Sequence, residues 1–257
     1  MWYNYTILKV RIIWCVGLKM GHINLIGCRG GFPNARKLLE DEGWYYGFRS
    51  DYTPYGWPFF IDINWENYNW GKHLAVLEYW RPAQAMAVDY LAPEKRGEML
   101  SQVEDIRALG IRPMVCPKFS GAVAHIPQDC IIAVSVPTTD EKYGGFLPND
   151  TELVGRELHL LGGHPDQFII LINRYSQSLV VSIDCSTIFQ KAFLGAYWSG
   201  DRNTWRYIKH RFSTNCLIRM SARTVKRYLE NPRPNFKKDR NRLSSVGFRL
   251  QPFLFEV

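Results

Sequence analysis

The chain has 257 residues, of which 46% are hydrophobic and 22% charged, which is typical of a globular protein with one well-filled core and excludes a disordered or fibrous chain. Its net charge of +8 is uneven, because residues 201–257 hold 14 Lys and Arg against 4 Asp and Glu, whereas residues 1–200 hold 18 against 20. A basic end on a near-neutral body indicates a polyanionic partner, most simply nucleic acid, although a merely solvated tail has the same composition.

The cysteines and the apolar amino-terminal stretch indicate the cellular compartment of the protein. No CxxC motif or Cys/His cluster occurs among the six cysteines, which argues against a disulfide framework and a structural zinc site. The apolar stretch 6–18 is interrupted by Lys9 and Arg11, and it is too short to span a bilayer. We therefore expect a cytoplasmic protein, in the host cytoplasm if the chain is viral, with no membrane partner.

Short apolar runs alternate with helix-like segments along the chain. Fully buried parallel strands have this run length, so we predict eight strands, at Ile7–Trp14, His22–Gly27, Pro58–Ile63, Ala85–Tyr90, Arg112–Pro117, Ile131–Val136, Arg156–Gly162 and Leu179–Asp184. The pattern predicts an α/β fold, a (β/α)8 TIM barrel over residues 1–199, followed by a basic C-terminal segment over residues 200–257. A doubly wound open sheet is the alternative.

Helices are predicted between and after these runs. In chain order they are Asn34–Glu42, Pro93–Leu109, Pro165–Tyr175, Trp205–Arg211 and Ala222–Glu230. The polar, basic stretch 231–242 reads as loop.

Three predicted strands end on an aspartate, at Asp62, Asp89 and Asp184. In a parallel barrel the carboxyl ends of all strands meet on one face, where barrel enzymes hold their chemistry. Two carboxylates in such a place can act as nucleophile and general acid/base, as in retaining glycoside chemistry. A strand-end aspartate also often caps the next helix. The spacing alone leaves glycosidase, aldolase-like and metal-dependent chemistry open.

Residues 156–198 resemble part of the tRNA-guanine transglycosylase superfamily. The matching pieces there are the turn 160–163 (LLGG), the helix from Pro165, and the segment 182–186 (SIDCS) around Asp184. Upstream, the resemblance extends in the family's order to the segments 59–62 (FFID) followed by Asn64 and Trp65, 85–89 (AMAVD), and 131–137 with Gly144 and Gly145. In all it covers residues 55–198.

The resemblance implies a pentosyltransferase that exchanges bases by double displacement. Asp184 would be the nucleophile at C1′ of a guanosine, and Asp62 the general acid/base. Asp89 would bind the N1/N2 edge of the base, on which Trp65 would stack. The further substrate-binding residues that we expect are Asn64, Lys118, Ser135, His159, Gly162 and Gly163.

Two features of the sequence depart from the family, and they bear on base recognition and on which nucleic acid is the partner. The family's Gln after the fifth strand is not seen in 112–120 (RPMVCPKFS), where Lys118 takes part of that role or contacts a phosphate. The family's zinc subdomain, which belongs to the tRNA-modifying branch, is absent. In this respect the chain resembles more closely the viral and bacterial enzymes that insert 7-deazaguanines, such as 7-cyano-7-deazaguanine, into DNA. We expect DNA rather than tRNA as partner, a free 7-deazaguanine base as co-substrate, and neither cofactor nor metal; a homodimer or a partner subunit stays open.

Basic residues at the end of the chain are the predicted nucleic-acid contacts: Arg202, Arg206, Lys209, Arg211, Arg223, Lys226, Arg227, Lys237 and Lys238. Trp198, Trp205 and Tyr207 lie among them, either as stacking surfaces or as packing of the tail onto the barrel. Three other functions stay open: a tRNA-guanine transglycosylase, a non-catalytic nucleic-acid-binding paralogue, and a retaining glycosidase.

Overall fold

The computed structural model describes residues 23–28, 32–136, 146–200, 204–208 and 212–230. Eight parallel strands form a closed barrel in which each strand pairs with the next and the last pairs with the first. They are β1 Asn24–Cys28, β2 Tyr45–Arg49, β3 Phe60–Asp62, β4 Gln84–Tyr90, β5 Arg112–Pro117, β6 Ile131–Ser135, β7 Glu157–Leu161 and β8 Leu179–Asp184. The prediction of a TIM barrel is confirmed, and the open sheet is excluded by the closure.

Six α-helices and a small hairpin complete the described part of the chain. The helices are α1 Ala35–Glu40, α2 Trp70–Trp80, α3 Arg96–Ala108, α4 Pro165–Arg174, α5 Thr187–Phe193 and α6 Thr214–Glu230, and the hairpin is β9 Ala196–Ser199 with β10 Thr204–Tyr207. No helix in these ranges is long and apolar enough to cross a membrane.

One predicted strand is not described by the structure, and one barrel strand was not predicted. The predicted strand Ile7–Trp14 lies outside the described residues, and the eighth barrel strand is instead β2, which was not predicted. The sequence of β2, YYGFR, contains a glycine and an arginine and no aliphatic residue, so it does not read as an apolar run. Its central residues are buried nevertheless, because both neighbouring strands and α1 pack against it.

The helix predicted at Trp205–Arg211 is wrong in its described part, where β10 pairs antiparallel with β9. Trp205 lies directly opposite Trp198, and their ring centroids are 5.4 Å apart. Aromatic residues favour strands, and such cross-strand aromatic pairs stabilise a hairpin. This explains why the segment is a strand and not a helix.

Helix α6 packs against α1, α4, α5 and β9 and so fills the outer layer beside the first strands. Its apolar face, including Leu217, Ala222 and Val225, is part of the main hydrophobic core. The indole N–H of Trp44 donates to the Ala222 carbonyl at 3.1 Å. The apolar side of the basic segment therefore packs on the outer helices across the boundary expected at residue 200.

Candidate active site

A cavity of about 560 Å³ opens at the carboxyl ends of the strands. The predicted residues that line it are Asp62, Trp65, Asp89, Lys118, Ser135, Gly162, Gly163 and Asp184. All three strand-end aspartates therefore face one pocket, as the barrel geometry requires of side chains at this end.

Asp184 ends β8 beside β1 and is only 5% exposed. Burial raises the pKa of its carboxyl group to about 7, although hydrogen bonds from the side chain and backbone of Cys28 favour the ionised form. Its Oδ1 atom is buried and has no hydrogen-bond partner within the described ranges. Asp184 also lines the cavity, so its carboxyl group borders the space in which a molecule would bind.

Asp62 ends β3 on the opposite side of the same pocket. Burial raises the pKa of its carboxyl group to about 8, and the nearby charge of Asp184 adds to this effect. The Ile63 backbone N–H donates to Oδ1 of Asp62 at 2.8 Å and opposes the shift. Both carboxyl groups of the pair therefore resist ionisation at neutral pH.

Asp89 ends the apolar part of β4 and is paired with a lysine from the next strand. Its Oδ2 lies 3.3 Å from Nζ of Lys118, which directly follows β5. The backbone N–H of Lys118 donates to the Tyr90 carbonyl at 3.0 Å, so the two strand ends are held together. The pocket wall therefore presents an acceptor and a cationic donor side by side.

The wall opposite β4 is formed by the glycine turn after β7. Gly162 and Gly163 have φ of 70° and 111°, a region that side chains rarely adopt. A Cβ on Gly163 would lie 2.6 Å from Cγ1 of Val136, so the turn approaches β6 closely. Thr187 of α5 donates its hydroxyl to the Gly163 carbonyl at 2.6 Å and anchors the turn.

His159 and Asn64 do not line the pocket, contrary to prediction. His159 lies deeper in the barrel, where its Nδ1 is 2.8 Å from Oγ of Ser182 and its ring packs on Phe60. Burial lowers its pKa to about 3, so the ring is neutral. Its side chain points inward one layer below the strand ends, and it belongs to the barrel interior.

Asn64 instead organises the loop that carries Trp65. Its Oδ1 accepts from the backbone N–H groups of Glu66 and Asn67, both at 3.1 Å, and its Nδ2 donates to Asp51 at 3.0 Å. A short amide side chain after a strand binds its own backbone readily, which explains the difference. Asn64 thus supports the loop beside the pocket.

The predicted nucleic-acid contacts are only partly described. Arg202, Lys209, Arg211, Lys237 and Lys238 lie outside the described residues. Arg206 and Arg227 are exposed, Lys226 is half-buried with its ammonium group beside Gly43, and Arg223 forms an ion pair with Glu42 at 2.7 Å.

Two of the aromatic residues in this region are packing residues. Trp198 is fully buried, and Trp205 packs on it and donates its indole N–H to His164 at 3.0 Å. They are not free to stack on bases, whereas Tyr207 is exposed.

Cys28 is the site residue that the sequence reasoning missed. It ends β1 next to Asp184, and Gly47 of β2 leaves the room for it, since a Cβ there would lie 2.7 Å from the Cys28 sulfur. Predicting the strand to end at Cys28 would have placed it in the ring of strand-end side chains. Among the described residues no group of three or more His, Cys, Asp or Glu side chains is arranged to hold a metal ion.

Comparison with known proteins places the chain in a family without giving it an activity. Among solved structures it is similar to the YdjI aldolase from Escherichia coli K12, at 11% sequence identity and a TM-score of 0.47, over 82% of this chain and 92% of that chain. A similarity this low carries no argument about chemistry. No curated protein matches the chain. Residues 40–230, which include seven of the eight barrel strands, match the family described as "Family of unknown function (DUF6610)", and the chain belongs to that family.

Proposed function

We propose that this protein is a transglycosylase that exchanges guanine in DNA for a 7-deazaguanine base through a covalent enzyme–sugar intermediate. The observation that carries the proposal is the pair of carboxyl groups of Asp62 and Asp184 at one pocket, whose pKa values are both raised by desolvation. Two carboxyl groups in unlike environments are the usual means of dividing acid and nucleophile roles in chemistry at an anomeric carbon.

The first step breaks the bond between sugar and guanine. An ionised oxygen of Asp184 forms a bond to C1′ while the C1′–N9 bond breaks, and the departing base takes the proton of Asp62. Both raised pKa values lie near neutral pH, so one carboxyl group can hold a proton while the other is ionised, and we propose Asp62 as the acid and Asp184 as the nucleophile. The products are free guanine, an Asp184–sugar ester and ionised Asp62.

The second step reverses these roles with a new base. The incoming 7-deazaguanine loses its N9 proton to Asp62, and its N9 attacks C1′ while the ester bond to Asp184 breaks. Both carboxyl groups return to their starting states, and two inversions leave the configuration of the sugar unchanged.

Asp89 supports the choice of a guanine-like base. Its carboxylate accepts hydrogen bonds, and the N1 and N2 positions of guanine offer two donors on one edge. Lys118 beside it is a donor placed next to that acceptor. Trp65 is exposed at the rim of the pocket and offers its ring for stacking on a base that has left the duplex stack.

The basic carboxyl-terminal residues support a nucleic acid as the polymer. We propose DNA, with tRNA as the alternative that the assay below distinguishes. The cytoplasm is the proposed location, since six cysteines without a disulfide pattern suit a reducing compartment.

The test is a base-exchange assay. DNA containing labelled guanine is incubated with the protein and 7-cyano-7-deazaguanine, and released guanine is measured beside the same assay on tRNA. We expect release from DNA and a denaturation-resistant protein–DNA adduct, both abolished in Asp184→Asn. Asp62→Asn should slow exchange at least about 100-fold, the usual contribution of a general acid/base.

The matched control is Asp129→Asn, because Asp129 is an exposed carboxylate that precedes β6 at the far end of the barrel. Its exchange rate should equal that of the wild type. Release from tRNA alone would move the proposal to the tRNA branch. Salt-sensitive DNA binding without guanine release or adduct would show a non-catalytic paralogue instead, and hydrolysis of simple glycosides would indicate a glycosidase.

A further inference from the structure

The inward direction of Asp89 depends on an irregularity in β4. Met86 packs inside the barrel, whereas Ala85 and Ala87 belong to the outer core. Side chains of a regular strand alternate between faces, so the third residue after Met86 should point outward. Asp89 nevertheless lines the pocket.

The pairing of β4 with β5 explains this reversal. Met86 lies opposite Met114, and Asp89 lies opposite Cys116, so three steps along β4 match two steps along β5. One extra residue in a strand is a β-bulge, which re-aims the side chains that follow it. Val88 consequently packs in the outer core beside Ala87, and Asp89 faces inward.

His73 of α2 contacts the bulge at its first residue. Its side chain is 1% exposed, and its Nε2 lies 2.9 Å from the Met86 carbonyl oxygen. A carbonyl oxygen only accepts, so Nε2 carries the proton of the ring. The ring is neutral, since burial lowers its pKa to about 4, and the Trp70 ring packs on it.

We infer that His73 is a positioning residue that holds the β4 bulge through the Met86 carbonyl and thereby keeps Asp89 in the pocket. The bulge and its support stand on the geometry alone. Only the effect on base binding rests on the proposed function, through the part that Asp89 plays there.

The test compares a variant that keeps the donor with one that removes it. His73→Gln retains an N–H group at a similar distance from the helix, whereas His73→Phe keeps the ring volume and has no donor. Leu77→Val is the packing control, because Leu77 is fully buried one turn later on the same helix. It perturbs the packing of the same helix and leaves the hydrogen bond between His73 and the Met86 carbonyl in place.

The kinetic readout is base exchange at varied concentrations of 7-cyano-7-deazaguanine. His73→Phe should raise the KM for that base about tenfold, the equivalent of one lost hydrogen bond, with kcat within about twofold of the wild type. His73→Gln should restore most of the KM, and Leu77→Val should leave it unchanged. Equal KM values for His73→Phe and the wild type would overturn the inference.

Hydrogen exchange of the β4 amides gives a second readout that needs no activity. Exchange over residues 86–90 should be faster in His73→Phe and near wild type in both His73→Gln and Leu77→Val. If the wild type exchanges no base but this pattern holds, the proposed function fails and the positioning role stands. If His73→Gln loses protection as His73→Phe does, or neither loses it, the positioning role fails.

Discussion

At the scale of single residues, the chemistry depends on two carboxyl groups that burial keeps from ionising. Asp62 and Asp184 lie in one pocket, and the charge on Asp184 raises the pKa of Asp62 further. The two groups therefore titrate as a coupled pair, and the pKa values belong to the pair rather than to either residue. A binding site for a neutral molecule has no need of this arrangement, which works against folding.

Burial of the Asp184 carboxyl group should make the stability of the protein depend on pH. Its pKa is raised from 3.8 to about 7 by burial, so between these values the folded state binds more protons than the unfolded chain. The stability that this group contributes is complete below its unfolded pKa and is lost as the pH rises through about 7. Asp184→Asn should thus be more stable than the wild type at pH 8, by on the order of a few kcal/mol.

The measurement is the free energy of unfolding in urea at pH 5 and pH 8. The decrease from pH 5 to pH 8 should be smaller in Asp184→Asn than in the wild type. Asp129→Asn, which removes an exposed carboxylate, should keep the wild-type decrease. An equal change between pH 5 and pH 8 in Asp184→Asn and in the wild type would show that the Asp184 carboxyl group is not protonated in the folded state.

At the scale of the elements, the pocket is built from the irregular ends of regular strands. The bulge in β4 turns Asp89 inward, and the glycine turn after β7 brings backbone to within contact of Val136. Neither feature changes the barrel, but each decides which atoms face the cavity. Irregular backbone beside an active site is where such local strain is commonly found.

Alanine substitutions at Gly162 and Gly163 distinguish the free-energy cost of backbone strain from that of the close contact in this turn. Gly162→Ala should cost about 1 kcal/mol, because its φ of 70° is unfavourable but nothing lies within 4 Å of the added Cβ. Gly163→Ala should cost about 2–4 kcal/mol, since the strain at φ 111° is joined by the collision with Val136.

Urea unfolding measures both variants, with Gly97→Ala as the control. Gly97 lies in α3 with open space around it, so alanine there should stabilise by about 0.5–1 kcal/mol. In a Val136→Ala background Gly163→Ala should cost less than in the wild type, but part of the collision should remain, since the Cβ of residue 136 lies 2.8 Å from the added Cβ. Equal costs at Gly162 and Gly163 would show that the close approach contributes nothing.

At the scale of the whole molecule, α6 joins the end of the described chain to its beginning. Its apolar face packs into the main core, and Arg219 and Arg223 pair with Asp41 and Glu42 after α1. Exposed ion pairs contribute little to stability, whereas buried apolar side chains contribute much. The helix is therefore held by its core face, and its basic face is left for other contacts.

This division predicts opposite outcomes on the two faces of α6. Leu217→Ala should lower the free energy of unfolding by about 2–5 kcal/mol, because Leu217 is fully buried. Arg219→Ala should leave the unfolding midpoint near that of the wild type, because both partners of its ion pair with Asp41 are exposed. Both are measured by urea unfolding monitored by circular dichroism, and a larger loss in Arg219→Ala than in Leu217→Ala would mean that the ion pairs hold the helix.

The sequence by itself determined an α/β fold of parallel strands, because buried parallel strands are continuous apolar runs and seven of the eight were readable as such, whereas the closure into a barrel was decided by the tertiary structure. It also determined that Asp62, Asp89 and Asp184 share a face, since parallel strands end together. Only the tertiary structure decided the rest. β2 is buried by its neighbours and not by its own composition, and Asp89 points inward because of a bulge that alternation cannot reveal. His159 and Asn64 have polar side chains suited to a binding site, but neither lines the pocket. His159 lies too deep in the barrel, and Asn64 binds the backbone of its own loop instead.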